Sequence, residues 1–424
     1  MFVSNVANDP TKNLYYPVKN IVIDRGEGVW LVDIHGKRYL DCASGTFNLN
    51  LGYSHREVLD AVQEQMEKLV HCTSSFQNAP VNQLVQKLVE VSPENLTKVH
   101  PKVSSGSMAN EGAIKIAQYV TGKRDVISLF RSHLGQSMMT LSLSGNAYRR
   151  EPFPFFSQGA IHVPGPYCYR CFYNQKPETC NFLCVERIND FIEHSSSGHV
   201  ACMILEPISG NGGNVVPPPG YLQALKQLCD ENDILLIFDE IQTGIGRTGK
   251  MFAADYFGVQ PNMITTSKGL GGTGFQVSAI LTEEQVSTLS TDHHAFTYGA
   301  NVLAATAATK TLEIVSNSSF LENVTVMGNY ILSRLVAMQK RYRFMGDVRG
   351  VGLMIGVEII EADGQPDPDL TNKIAKVAME YGLIIRTSRN GYGNVFKIRP
   401  PLTINAEECE YMCDQLEKVL ASVA

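Results

Sequence analysis

The chain opens on short alternating runs and then changes rhythm. In "VWLVDIHGKRYLDC" (29–42) apolar and polar residues alternate on either side of His35-Gly36, the period of two that marks half-buried strands around a turn. From about residue 56 to 300, helical patterns alternate with short apolar runs. That pattern argues for an α/β layer on a mostly parallel sheet. Three of the runs end alike. "VACMIL" (200–205) ends at Glu206, "ILLIF" (234–238) at Asp239 and "MITTS" (263–267) at Lys268. The 33 residues from Glu206 to Asp239 and the 29 from Asp239 to Lys268 each fit one strand–helix–strand unit. A helix from about 220 to 231 fills the first gap, with Leu222, Leu225 and Cys229 on one stripe. After about 305, "AATAATKTLEIV" starts a new helical region, "GDVRGVGLMIGVEI" reads as strands, and the end is again helical. The expected organisation is a large α/β domain over 56–305 and a smaller α+β domain. Residues 306–424 form the smaller domain together with the N-terminal segment 1–55.

Composition narrows the function classes without choosing one. The 424 residues are 44% hydrophobic and 18% charged, with a net charge of −6 and a pI near 6.0. No basic stripe is visible, so nucleic acid is not an expected partner. No run reaches the roughly 18 apolar residues of a membrane span, and "MFVSNVANDPTKN" lacks the pattern of a secretory signal. The expected compartment is the cytoplasm. Ten cysteines in a chain this long do not suggest a disulfide scaffold.

The chemistry lies at the ends of the apolar runs. In open α/β sheets, ligands bind beyond the carboxyl ends of the strands, where Glu206, Asp239 and Lys268 all fall. A buried aspartate requires a cation. Asp239 therefore faces either Lys268, as a structural ion pair, or a positive charge on a bound cofactor. "VSSGSMANEGAIKIAQYV" (103–120) adds a Ser/Gly turn opening an amphipathic helix. Such a turn offers free N–H groups and a positive dipole end to a phosphate, or simple capping by Ser105 or Ser107. "GLGGTG" (269–274) matches a dinucleotide fingerprint, but "FQVSAIL" after it reads as a strand, and the fingerprint requires a helix. A lysine, an aspartate and a phosphate cradle together suggest pyridoxal phosphate, with Asp239 holding the pyridine nitrogen protonated.

At these residues the chain resembles class III aminotransferases, the ornithine/4-aminobutyrate type of fold type I. The blocks that bear the resemblance are "LLIFDEIQTGIGRTGKMFAADYFGVQPNMITTSKGLGG", "SSGSMANEGAIKIA", "LEPISGNGGNVVPPPGYL", "FTYGANVLAATAA" and "DVRGVGLMIGVE". The resemblance implies a homodimer with shared active sites. It implies an amino-group transfer on a small amine, amino acid or amino sugar through a Schiff base on Lys268. It further implies Asp239 at the pyridinium, Gly106 and Ser107 at the phosphate, Ile241 on a ring face and Gln242 at the ring hydroxyl. Glu206 would orient the groups around Asp239, and Thr297 would reach the phosphate from the other subunit.

Departures from the family pattern open two alternatives. The stacking aromatic of a Tyr-His-Gly or Phe-His-Gly triplet is replaced in His133-Leu134-Gly135, where His133 would stack. The switch glutamate of Glu-Pro-x-x-Gly-Glu is Asn211. The arginine three residues before the Pro-Pro pair is Lys397, with Arg399 nearby but out of register. An arginine forks onto a carboxylate where a lysine is a point charge. A lyase acting on aminoalkyl phosphates or phosphonates and an amino-acid racemase therefore stand beside the transaminase. Lys397, Arg399, His133 and Arg131 suit an anionic substrate other than glutamate. Phe47, Asn48, Phe76 and Tyr169 are candidate pocket residues by position. Cys168, Cys171, Cys180 and Cys184, spaced C-x2-C-x8-C-x3-C, suit either a reduced, packed loop or a zinc site. The short central spacing and the absence of histidine favour the former, and no metal is expected.

Overall fold

The computed structural model describes residues 14–15, 18–153, 159–290, 292–388 and 392–424. At its centre is a seven-stranded sheet. Its spatial order is Lys98–Val103, Ser278–Thr282, Met263–Thr266, Leu235–Asp239, Val200–Leu205, Asp125–Leu129 and Ala160–Val163. The last five pair in parallel, and Ser278–Thr282 runs antiparallel to both neighbours. Val200–Leu205 is buried along its whole length, and Leu235–Asp239 along all but its first residue. Strands covered by helices on both faces read as unbroken apolar runs, which is why these were visible in the sequence.

Apolar clusters cover both faces of this sheet. One is built on Leu222, Leu225, Leu236, Phe238 and Phe252, and the other on Ala109, Ala113, Ile116, Ile204 and Ile237. Alternation within Leu235–Asp239 sends Leu236 and Phe238 to the first and Ile237 to the second. The helix Gly106–Thr121 lies under the second face. The expected helix at 220–231 is Tyr221–Glu231, entered through Gly220 at φ 89. "GLGGTG" forms a short 3-10 turn over Lys268–Gly271 and leads to the strand Ser278–Thr282, not to a helix.

The N-terminal hairpin Trp30–Asp33/Arg38–Asp41 pairs in parallel with Leu383–Ile384. Val29, Leu40 and Cys42 share one core with Ile355, Phe396 and Leu416. The two ends of the chain thus build one body. The strands Met345–Val351, Met354–Ile359 and Val395–Ile398 form its antiparallel sheet. The helix Val302–Val315 spans the expected break at 305 and puts Ala305, Leu312 and Val315 into the core of the large body. Among the described residues, no helix is long and apolar enough to cross a membrane.

Candidate active site

Three neighbouring parallel strands bring Glu206, Asp239 and Lys268 to one edge, and all three line a single recess. Asp239 is 3% exposed. Its Oδ2 accepts from Asn110 Nδ2 at 2.8 Å and its Oδ1 from the Ile241 N–H at 3.0 Å. Burial pushes its carboxyl up to about 6 despite those bonds. Burial also raises Glu206, with Asp239 adding to the effect, and lowers the Lys268 amine below the ordinary lysine range. Lys268 sits at φ 41, a left-handed conformation that L-residues seldom adopt.

The adjacent acid does something different. Glu240 is buried and accepts from the N–H groups of Ala253 and Ala254 at 2.8 and 2.7 Å, and from Thr243 Oγ1 at 2.8 Å. It therefore satisfies the start of the helix Ala253–Phe257.

Opposite the three strand ends stands the start of Gly106–Thr121. Ser105 caps it through the Met108 N–H at 3.3 Å. A Cβ on Gly106 would lie 2.9 Å from Ile241 Cδ1, so glycine lets the helix start approach Ile241. Ser107 Oγ accepts from the Gln136 N–H at 3.0 Å. His133 closes the recess. Its N–H donates to Glu206 Oε1 at 3.0 Å, and the Gly210 N–H donates to Glu206 Oε2 at 2.9 Å. Burial, then Lys268, pushes the His133 imidazole down to about 4, so it is neutral at pH 7. Its Nδ1 is buried and has no partner among the described residues.

A cationic cluster lies behind Gln242; Phe47, Lys397 and Arg399, expected at the substrate, do not themselves line the recess. Gln242 Oε1 accepts from Arg399 Nη1. The Phe47 ring has Arg399 Cζ at 3.4 Å from its centroid, Lys397 Nζ at 5.4 Å and Arg386 Cζ at 5.8 Å. Lys397 closes the strand Val395–Ile398 with Ile398, Arg399 follows it, and both side chains approach the Phe47 ring.

Phe76 is 70% exposed, Tyr169 is 45% exposed and Thr297 is exposed. None of them lines the recess. Asn48 spends its Oδ1 on the Thr46 N–H. Arg131 lies apart, its guanidinium between Tyr167 and Tyr392 at 4.6 and 4.9 Å from their centroids. Cys168, Cys171, Cys180 and Cys184 are free thiols lining one small cavity with Phe172 and Phe182. Among the described residues, no group of three or more potential ligands could hold a metal ion.

Sequence reasoning missed Asn110. Besides Asp239, its Nδ2 reaches the Leu134 carbonyl at 2.7 Å, and its Oδ1 accepts from Thr265 Oγ1 at 2.6 Å. The signal was a polar residue one turn before Ala113 and Ile114 on the apolar stripe of a helix.

A buried carboxylate, a desolvated lysine and a helix start on one recess, at the carboxyl end of a mainly parallel sheet, define a fold type I pyridoxal-phosphate enzyme. The chain belongs to the class-III aminotransferase family, whose model matches residues 13–420. It is 37% identical over 404 residues to the leucine/methionine racemase of Thermococcus litoralis, covering 93% of this chain and 89% of that protein. It is 34% identical over 412 residues to the acetylornithine aminotransferase of Methanothermobacter thermautotrophicus, covering 96% of each. An amine transaminase from an uncultivated Pseudomonas species, solved with PLP bound, superposes with a TM-score of 0.89 at 29% identity, covering 96% of each chain. The family and such structures imply pyridoxal phosphate as cofactor.

Proposed function

We propose that the protein binds pyridoxal phosphate on Lys268 and moves an amino group between a small amine or amino acid and a carbonyl acceptor. The observation behind this reading is the convergence of Glu206, Asp239 and Lys268 beside the helix start at Ser105–Ser107. The residues present fit the cofactor. The N–H groups of Gly106 and Ser107, with the Ser107 hydroxyl, suit its phosphate. Asp239, a carboxylate with no bonded cation among the described residues, suits the protonated ring nitrogen. His133 and Ile241 suit the two ring faces, and the Gln242 amide suits the ring hydroxyl. Bound there, the cofactor supplies an electron sink for negative charge on the carbon next to the substrate nitrogen. Lys268, the amine on the recess, takes and returns the proton at that carbon. Glu206 positions His133 through its N–H. Thr297, exposed on its own chain, serves the phosphate of a second chain's site in a homodimer.

Amino-acid racemisation is the second reading. Asn211 and Lys397, which replace the groups a transaminase uses to alternate between two substrates, favour a one-substrate reaction, lyase or racemase, and the likeness to a racemase favours the latter. One experiment separates the two. The holoenzyme is incubated with a single L-amino acid and no carbonyl acceptor, and enantiomers are followed by chiral chromatography. An aminotransferase stops after one turnover per site and resumes when pyruvate is added. Continuous formation of the D-enantiomer without acceptor overturns amino transfer as the main reaction.

Cofactor uptake tests the role of Lys268 at an earlier step. Only the neutral amine is a nucleophile, and burial lowers the pKa of Lys268. The rate at which apo-protein gains visible absorbance with pyridoxal phosphate is therefore expected to rise with pH. Its midpoint should lie at least roughly one unit below the ordinary lysine value of about 10.4. A midpoint at the ordinary value would mean the reacting amine is solvated and is not Lys268.

A further inference from the structure

Arg399 has one side of its guanidinium in use and one side open. It is 1% exposed, and its Nη1 donates to Gln242. Its Nε and Nη2 are buried and have no hydrogen-bond partner among the described residues. These two nitrogens form the side-on edge of the guanidinium, whose parallel N–H groups match the two oxygens of one carboxylate. Leaving two buried donors unpaired is costly, and the neighbourhood does not relieve it. Arg247 and Arg386 add like charge, as does Lys397, and Glu206 is the carboxylate that acts on Arg399 electrostatically. Glu206 spends its oxygens on the N–H groups of His133 and Gly210. Arg247 is committed to the Leu353 and Pro400 carbonyls and to Asn50. The Asn211 amide nitrogen is itself buried and has no hydrogen-bond partner among the described residues.

On the reading given above, we infer that the Nε–Nη2 edge of Arg399 binds the substrate, and that it takes a carboxylate on the same carbon as the reacting amine. The substrate class is the 2-amino acids. Position supports the same-carbon assignment. Arg399 Nη1 is bonded to Gln242, which lines the same recess as Lys268 and Asp239, so the guanidinium stands one side chain away from the reacting end of the ligand. The Phe47 ring lies against the same guanidinium, its centroid 3.4 Å from Arg399 Cζ, and its backbone is held at φ 64. Lys397, at the position where the family holds its arginine, is the lesser contributor.

The test titrates holoenzyme with four amines and reads dissociation constants from the cofactor's visible absorbance. The ligands are leucine, isopentylamine (leucine without its carboxylate), 4-aminobutyrate and the phosphonate analogue of leucine. Leucine is expected to bind at least roughly tenfold more tightly than the other three. Arg399→Gln should weaken leucine by about 10- to 100-fold while leaving isopentylamine within about threefold. The unchanged amine shows that the variant is folded and loaded. Arg399→Lys, which keeps the charge and loses the fork, should still lose at least about tenfold for leucine. The inference is overturned if isopentylamine, 4-aminobutyrate or the phosphonate binds wild type as tightly as leucine. It is also overturned if Arg399→Gln weakens leucine and isopentylamine equally, or if Lys397→Met alone abolishes the preference. Cofactor uptake is scored from the visible band before any ligand is added. A protein that takes up the cofactor without discriminating among these ligands overturns the role of Arg399 and leaves the family reaction standing.

Discussion

Lys268→Ala is expected to lower kcat by about 10²- to 10⁴-fold, since it removes the group that moves the proton. The structure allows this loss without a loss of fold. Lys268 follows the strand Met263–Thr266, its amine lines the recess, and no hydrogen bond or ion pair among the described residues depends on that amine. Deleting a desolvated amine removes an unfavourable burial, and alanine at φ 41 is no more strained than lysine there. Thermal unfolding of the apo-variant should therefore stay within a few degrees of wild type. The variant should still bind pyridoxal phosphate through the helix start at Ser105–Ser107 and Asp239. That binding should be reversible, so dialysis removes it, whereas wild type retains its visible absorbance. Turnover within tenfold of wild type in Lys268→Ala would sink the assignment of this recess as the reaction centre.

The reach of sequence reasoning differed by element, for physical reasons. Strands buried on both faces write themselves as unbroken apolar runs, so Val200–Leu205, Leu235–Asp239 and Met263–Thr266 were found nearly to the residue. Their end residues then marked the recess, because a charge abutting such a run has few structural uses. Contacts across the sequence were not legible. Asn110 reaches Asp239 from 129 residues away, and Arg399 reaches Gln242 from 157. Neither pairing leaves a local periodicity to detect. Motif position does not tell which way the backbone turns a side chain. Phe76 and Tyr169 sit in segments rich in polar and turn residues, and both project to the surface of this chain. Glu240 shows the opposite limit. One step along a strand reverses the face, so two adjacent acids divide between a recess and a helix start.

Asp239→Asn is expected to lower kcat/KM by about 10²- to 10³-fold, the size of effect seen when one preorganised charge or donor is removed from an active site. The geometry explains why so small a change acts so strongly. Thr265 Oγ1 holds the amide oxygen of Asn110, so the amide nitrogen must point at residue 239. The Ile241 N–H also points there. Both neighbours are donors, and a carboxylate accepts both while still presenting negative charge to a third group. Asparagine has one acceptor oxygen, cannot serve both, and presents no charge to a protonated ring nitrogen. The apo-protein should tolerate the change, because one lost hydrogen bond is set against the relief of a buried charge. Wild-type Asp239 is held at about 6, up from 3.8, and that shift of roughly two units corresponds to about 3 kcal/mol disfavouring the charged form. The same shift fixes a pH signature. A cationic ring beside Asp239 lowers its pKa on binding, so the part of cofactor affinity that Asp239 supplies is fully present above about 6. It declines as pH falls below 6, toward the lower pKa that the carboxyl has in the complex. Wild type should therefore lose affinity for pyridoxal phosphate between pH 7 and pH 5 more steeply than Asp239→Asn. The cofactor phosphate titrates in the same range in both proteins, so the difference between the two curves isolates the carboxylate. Parallel curves would show that Asp239 stays ionised without the cofactor or never faces its charge, and the pairing of this strand end with the ring nitrogen would fall.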